Sequence, residues 1–507
     1  MTEGTVSRER AGRAVLWASI GWYSTFVLSF AFNIVTARLL LPEVFGLVAL
    51  VLIVVTVAQL FADAGTRAAL VHRETRIEDA VSTALISVPT AGFLGSCLIA
   101  ACSPLFAAFY GEPELTWIAF AMAWLLFIFS LSLVPDALLQ RRLDLKLRRA
   151  VVDPLSIVGY GVTVIIGALA GLEAWALVLG QYVSFTIVTV GCWVLARPRF
   201  REGRPSWGMY REIGRYGRGL LAANSVEAVE GQAAPVVLGR ALGTEAVGLY
   251  SAGTRIGKLP LTGIVQVTGG IVFATLARLQ GEMDRFRAVA FEALRMNAVL
   301  VLPVGVTFMA LGEPIVVVLF GEVWRGAGIV LQFIGFWAVC LGLGDNGREI
   351  FKAIGRPFLV ARAAIIETTA TIALLAMFWM MDEISLWTVG LTRAITAGII
   401  LGCYAVGVHA VGALPLGWQW RAVRGPVAAA IVQAGVLVGA HVLLPDGFER
   451  WHRIGDVPLG VLPALGALGG LFLAGIAVYG ATLWLIDRSA IIQLRANVAT
   501  AVRGRRG

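Results

Sequence analysis

Charge is scarce in this chain. Only 14% of its 507 residues are Asp, Glu, Lys or Arg, against about 25% in soluble domains. With 58% hydrophobic residues and a mean hydropathy of +0.82, too little polar surface is left to cover soluble domains of this total length. That excludes a soluble enzyme and a disordered scaffold. The five cysteines (Cys97, Cys102, Cys192, Cys340, Cys403) lie in apolar runs and form no C-x-x-C pair, so neither a disulfide framework nor a zinc site is expected. The four histidines (His72, His409, His441, His452) are far apart, which argues against a metal cluster. No G-x-x-x-x-G-K-[ST] occurs, so the chain is not expected to hydrolyse ATP. No D-x-D pair occurs either, which argues against a metal-dependent glycosyltransferase.

What the chain has instead is apolar runs long enough to cross a bilayer, each of roughly 20 residues. They read as 14–38, 44–66, 80–103, 115–139, 151–171, 174–196, 217–239, 245–277, 288–312, 325–345, 357–380, 386–408, 424–444 and 459–486. This predicts an all-α integral membrane protein of about 14 transmembrane helices. Arg8, Arg10 and Arg13 precede the first run, which is too long for a signal-peptide core and lacks a cleavage site. It is expected to remain as the first helix.

Lys and Arg number 41 against 32 Asp and Glu, a net charge of +9, and the excess is sorted by loop. Alternate junctions are basic: Arg73 and Arg76; then Arg141, Arg142, Lys146, Arg148 and Arg149; then the central loop with Arg197, Arg199, Arg201, Arg204, Arg211, Arg215 and Arg218. The junctions between them hold few basic residues, among them Arg38, Arg240, Arg325, Arg450 and Arg453. By the positive-inside rule both termini are cytoplasmic. The basic excess reports orientation toward anionic lipid rather than nucleic acid.

A short pattern occurs twice. Arg38-Leu-Leu-Leu-Pro-Glu43-Val-Phe-Gly46-Leu47 and Arg240-Ala-Leu-Gly-Thr-Glu245-Ala-Val-Gly248-Leu249 share R-x-L-x-x-E-x-x-G-L. Six predicted spans separate the copies, an even number, so the halves have parallel topology about an axis along the membrane normal. The organisation read from this is an N-lobe over 1–216, a C-lobe over 217–410 and an accessory helix pair with a basic tail over 411–507.

The halves differ in their buried charge. Glu227 and Glu230 lie one turn apart in the seventh span, where the first half has Thr25 and Leu28. Arg255 and Lys258 lie in the eighth, and Arg362, Glu367 and Arg393 in the eleventh and twelfth, where the first half carries no charge. The first half offers Asp63 and Arg67, read as a cytoplasmic gate. Charge at membrane depth costs about 2.5–3.5 kcal/mol per residue on insertion scales and normally faces a cavity or a partner. One reading makes these residues structural ion pairs, such as Glu227 with Lys258. The other splits them by sign. Arg255, Lys258, Arg362 and Arg393 would then hold an anionic, phosphate-bearing substrate, and Glu227, Glu230 and Glu367 would take a coupling H⁺ or Na⁺.

Several motifs together resemble the Wzx-type polysaccharide flippases of the multidrug/oligosaccharidyl-lipid/polysaccharide exporter superfamily. They are Ala37–Leu47 with Asp63-Ala-Gly65, Gly248-Leu249-Tyr250 through Arg255, Leu259-Pro260, Ala277-Arg278-Leu279-Gln280, and Leu319-Phe320-Gly321 with Trp324. The resemblance covers residues 12–410. It implies a V-shaped pair of six-helix lobes that moves a polyprenyl-diphosphate-linked oligosaccharide to the outer leaflet of a bacterial inner membrane, without covalent chemistry or an organic cofactor. It also implies a cationic lumen and a cation site between the seventh and the eleventh or twelfth helices, which here carry Glu227, Glu230 and Glu367. Implied partners are the lipid-linked substrate, membrane lipids, a polysaccharide polymerase and glycosyltransferases. The pair over 424–486 resembles an accessory of the lipid II flippase branch. A lipid II flippase and a cation-coupled multidrug exporter are the alternatives within this fold.

Overall fold

Pro42 and Glu43 open a helix in the way its N-terminus favours, with proline where no hydrogen bond is lost and a carboxylate near the positive end of the dipole. Twenty-one residues on, Ala64 and Gly65 take left-handed φ angles of 41° and 76°, which stop the helix and restart it after a tight turn. Repeated along the chain, such starts and stops divide the apolar runs. In this computed structural model, which describes residues 25–142, 146–198, 203–443 and 461–489, every regular element is helical. The helices are α1 (Thr25–Leu39), α2 (Pro42–Asp63), α3 (Thr66–His72), α4 (Ile77–Tyr110), α5 (Leu115–Arg141), α6 (Asp153–Leu169, after a π-turn at Arg148–Val152) and α7 (Ala174–Ala196). They continue with α8 (Trp207–Arg278), α9 (Met283–Phe320), α10 (Arg325–Ala353), α11 (Phe358–Met380), α12 (Leu386–Ala410), α13 (Leu416–Leu443) and α14 (Val461–Ile486).

Eleven candidate spans are long and apolar enough to cross a membrane among the described residues. The expected first run is described only from Thr25. Residues 1–24, 199–202 and 444–460, with Arg8, Arg10, Arg13, Arg199, Arg201, Arg450, His452 and Arg453, lie outside the described residues. The expected runs 217–239 and 245–277 both fall within α8, whose 72 residues would be about 108 Å of straight helix. The helix breaks at Gly243 (φ 83°, ψ −170°), a conformation only glycine adopts readily. The tenth run, expected to end at 345, is longer than its apolar stretch: α10 continues to Ala353. The charges that mark a loop in the sequence pair along the helix instead, Asp345 with Arg348 at 3.9 Å and Glu349 with Lys352 at 2.5 Å.

The contacts divide the chain into two compact units, residues 1–248 and 249–507. In the first, glycines bring backbones together. A Cβ on Gly46 would collide with the Thr244 carbonyl, and one on Gly248 with the Pro42 carbonyl. Pro42 and Thr244 hold equivalent places in the two copies of the repeated pattern, so the copies pack on each other reciprocally. Gly217 of α8 meets the turn at Ala64–Gly65 in the same backbone-to-backbone way. Small residues of this kind are how membrane helices approach closely without a hydrophobic driving force.

In the second unit α9 and α10 pack through Gly305 and Gly335. Proline at 303 lies inside α9, and the fully buried Gln433 of α13 donates to the Pro303 carbonyl (3.0 Å) and the Thr307 hydroxyl (3.1 Å). Arg295 of α9 pairs with Asp487 just past α14. The last two helices are thus tied to α9 by polar contacts as well as by packing.

Candidate substrate and coupling sites

In the second unit a mixed-charge cluster forms where α8, α10, α11 and α12 meet. It begins with Trp337 on α10, 9% exposed. The Lys258 ammonium of α8 lies 5.3 Å from the centre of its ring, and the Arg393 guanidinium of α12 lies 5.7 Å from it. Both are cation–π distances. Arg393 itself is only 3% exposed. The capping box at Ser385 and Thr388 starts α12 and fixes the register that delivers this side chain two turns later.

Along α10 the residues after Trp337 carry the opposite sign. Asp345, Asn346 and Glu349 are buried. Gly344 and Gly347 leave room for Tyr404 of α12 against α10, and Tyr404 and Arg348 line the same cavity. Gly269 of α8 passes so close that a Cβ there would lie 3.0 Å from Asp345 Oδ2 and 3.6 Å from Glu349 Oε1. Glu367 of α11, Trp337, Asp345, Arg348 and Tyr404 line one cavity of about 20 Å³. That volume holds roughly one water molecule or one small cation.

Of the residues singled out in the sequence, the structure therefore brings Lys258 and Arg393 together around Trp337, with Glu367 on the cavity that the same ring lines. Arg255 is exposed one turn before Lys258, and Arg362 is exposed near the start of α11, outside the cavity wall. Glu227 is exposed and Glu230 half-buried, one turn apart on α8 within the first unit. No group of three metal-ligating side chains occurs among the described residues.

Asp63 and Arg67 fall in a separate network in the first unit. The Arg67 backbone N–H donates to Asp63 Oδ1 at 3.0 Å, and the Arg67 side chain reaches Asp136 at 2.8 Å. Asp136, on α5, also meets Arg148 at 3.4 Å and accepts from Gln140 at 2.9 Å. Arg148 pairs further with Asp153. The π-turn holds Arg148 where both carboxylates are within reach, a recurrent use of such turns.

Sequence reasoning missed Trp337, Tyr404, Asp136, Asp345, Arg348 and Glu349. A signal existed for the last four. Asp136 is an acid inside an apolar run, and Asp345, Arg348, Glu349 and Lys352 share one helical face at spacings of three and four. Trp337 and Tyr404 carried none, being two aromatics among many.

A family model described as polysaccharide biosynthesis protein matches residues 35–328, a range that contains both copies of the repeated pattern. The succinoglycan biosynthesis transport protein ExoT of Rhizobium meliloti is 28% identical over 372 residues, 72% of this chain and 74% of that protein. The lipopolysaccharide biosynthesis protein WzxC of Escherichia coli is 20% identical over 350 residues, 69% and 71% of the two chains. Among solved structures, the lipid II flippase MurJ in an inward closed conformation superposes with a TM-score of 0.72 at 13% identity, covering 94% of this chain and all of that one. An inward-facing multidrug resistance transporter of the MATE family gives 0.59 at 17% identity, over 79% and 99%.

Proposed function

The chain belongs to the polysaccharide biosynthesis protein family, and from that premise we propose that it flips polyprenyl-diphosphate-linked oligosaccharide units from the cytoplasmic to the periplasmic leaflet of the inner membrane. The convergence of Lys258 and Arg393 on one buried ring carries the reading. Two cations kept within a membrane-embedded bundle suit a diphosphate, because each is costly there unless an anion or an aromatic face offsets it. Arg255 and Arg362, both exposed, extend the positive surface along α8 and α11. The relatives named for succinoglycan transport and lipopolysaccharide biosynthesis support a glycan as cargo.

Alternating access of two six-helix lobes, with α13 and α14 as an accessory pair in a fourteen-helix chain whose termini are cytoplasmic, is the mechanism we assign. Glu227, Glu230 and Glu367 are the carboxylates assigned to a coupling H⁺ or Na⁺, and Glu367 lines a cavity of the right size for one ion. Asp63 and Arg67 are assigned to a cytoplasmic gate. A polysaccharide polymerase and glycosyltransferases are the partners expected on either side of the flipping step.

The test uses a cell that needs this chain for surface polysaccharide. Replacing Arg255 and Lys258 together by alanine should lower exported polysaccharide at least about tenfold, the effect of losing roughly 1.4 kcal/mol of interaction, while lipid-linked precursor accumulates. Arg450→Ala should export normally. Equal export by both variants at matched protein levels would reject the cationic site.

A further inference from the structure

The first three turns of α8 have two opposed faces. Met209, Ile213 and Gly217 recur every fourth residue and are buried, the first two in the apolar core formed by α3, α4, α5 and α7. At about 100° per residue, Trp207, Arg211, Gly214, Arg215 and Arg218 fall on the far arc, with Tyr210 at its edge beside Gly217. Trp207 is 67% and Tyr210 43% exposed, and the three arginines are exposed as well. The Trp207 and Tyr210 rings stack at 4.9 Å, and the Arg211 guanidinium lies 5.8 Å from the centre of the Trp207 ring. At Gly214, on the same arc, a Cβ would meet nothing within 4 Å. The face is therefore open surface carrying aromatic rings and guanidinium groups.

Its position is fixed from two sides. The Arg204 backbone N–H donates to Asp79 Oδ1 at 2.8 Å, the Ser206 backbone N–H to Thr83 Oγ1 at 3.2 Å, and Arg73 pairs with Glu212 at 3.0 Å. Glu212 is the one acidic residue between 207 and 218, and that ion pair draws it away from the arginine face. Gly217 packs on the Ala64–Gly65 turn ending α2. The start of α8 therefore lies at the end of α2 and α4 that carries the basic junction with Arg73 and Arg76, the end that faces the anionic leaflet by the positive-inside rule.

We propose that the Trp207–Arg218 face of α8 is a binding site for the headgroups of anionic phospholipids. Arg211, Arg215 and Arg218 take the phosphate by charge-assisted hydrogen bonds. Trp207 and Tyr210 stand at the interfacial level at which such rings anchor, beside open backbone at Gly214. An anionic leaflet holds the start of α8 in this way, on the side of the membrane that carries the basic loops.

Native mass spectrometry of the purified full-length chain, titrated with phosphatidylglycerol, reads this directly. Arg211→Gln, Arg215→Gln and Arg218→Gln combined should weaken phosphatidylglycerol binding at least about tenfold, since several surface arginines act together. Phosphatidylcholine binding should not change. Gly214→Glu, which puts an acid among these arginines, should weaken phosphatidylglycerol binding too and serves if the triple variant does not fold. Arg285→Gln, at an exposed arginine already paired with Glu282, should bind as the native chain does. Soluble glycerol phosphate should fail to displace the lipid. Native affinity in a folded triple variant, or in Gly214→Glu, would overturn the proposal. So would displacement by glycerol phosphate, which would make the face a site for soluble anions.

Discussion

Arg393 is a cation at 3% exposure, in a helix otherwise free of charged side chains. Holding it there requires an electronegative surface, and the Trp337 ring supplies one that it shares with Lys258. A desolvated cation–π contact contributes about 2 kcal/mol, so changing the ring acts on both cations together. Trp337→Phe keeps a weaker π-face and Trp337→Leu keeps none. Transport measured at matched protein levels should fall in the order Trp, Phe, Leu, with Leu close to background. Equal rates for Phe and Leu would mean that the ring only packs. In the first unit, Asp136 serves two arginines whereas, among the described residues, Asp63 pairs with Arg67 alone. Asp136→Asn strands part-buried cations and should destabilise the chain by about 3 kcal/mol, whereas Asp63→Asn should cost under about 1 kcal/mol. Thermal melting in detergent separates the two, and the reverse order would displace Asp136 from the centre of the network.

At the scale of elements, breaks matter as much as helices. The sequence pattern interrupts the seventh and eighth runs between 239 and 245, and α8 breaks there at Gly243. Gly243→Ala should therefore lower the melting temperature, because that backbone conformation costs about 1–3 kcal/mol for any other residue. An unchanged melting curve would mean that the break relaxes freely. The earlier start of α8, at Trp207, was hidden because its buried stripe is only Met209, Ile213 and Gly217 among arginines. The end of α10 was hidden for the opposite reason. Four charges in eight residues look like a loop, and only their pairing across helical turns shows that the helix continues. The glycines of the repeated pattern were visible, but their purpose was not. Gly46 and Gly248 admit each other's backbone, a contact between segments some two hundred residues apart that no local signal encodes. Gly248→Val should prevent that approach and reduce folded protein recovered in detergent, whereas Gly281→Val, which meets nothing within 4 Å, should not.

For the whole molecule, the membrane class was legible from composition alone, and the family from a few spaced motifs. The candidate site was legible in part. Lys258, Glu367 and Arg393 stood out because charge in apolar runs is rare. Their meeting around one tryptophan depends on how α8, α10, α11 and α12 pack, which one-dimensional patterning does not carry. The central claim is that this cluster moves a diphosphate-linked glycan across the bilayer. It is tested most directly by reconstituting the chain in liposomes with a fluorescent polyprenyl-diphosphate oligosaccharide, then following its arrival in the opposite leaflet under an imposed H⁺ or Na⁺ gradient. The account predicts flipping well above protein-free vesicles, accelerated by one of the gradients and lost when Lys258 and Arg393 are both alanine. Flipping that is indifferent to both cations, or no faster than in protein-free vesicles, would contradict it.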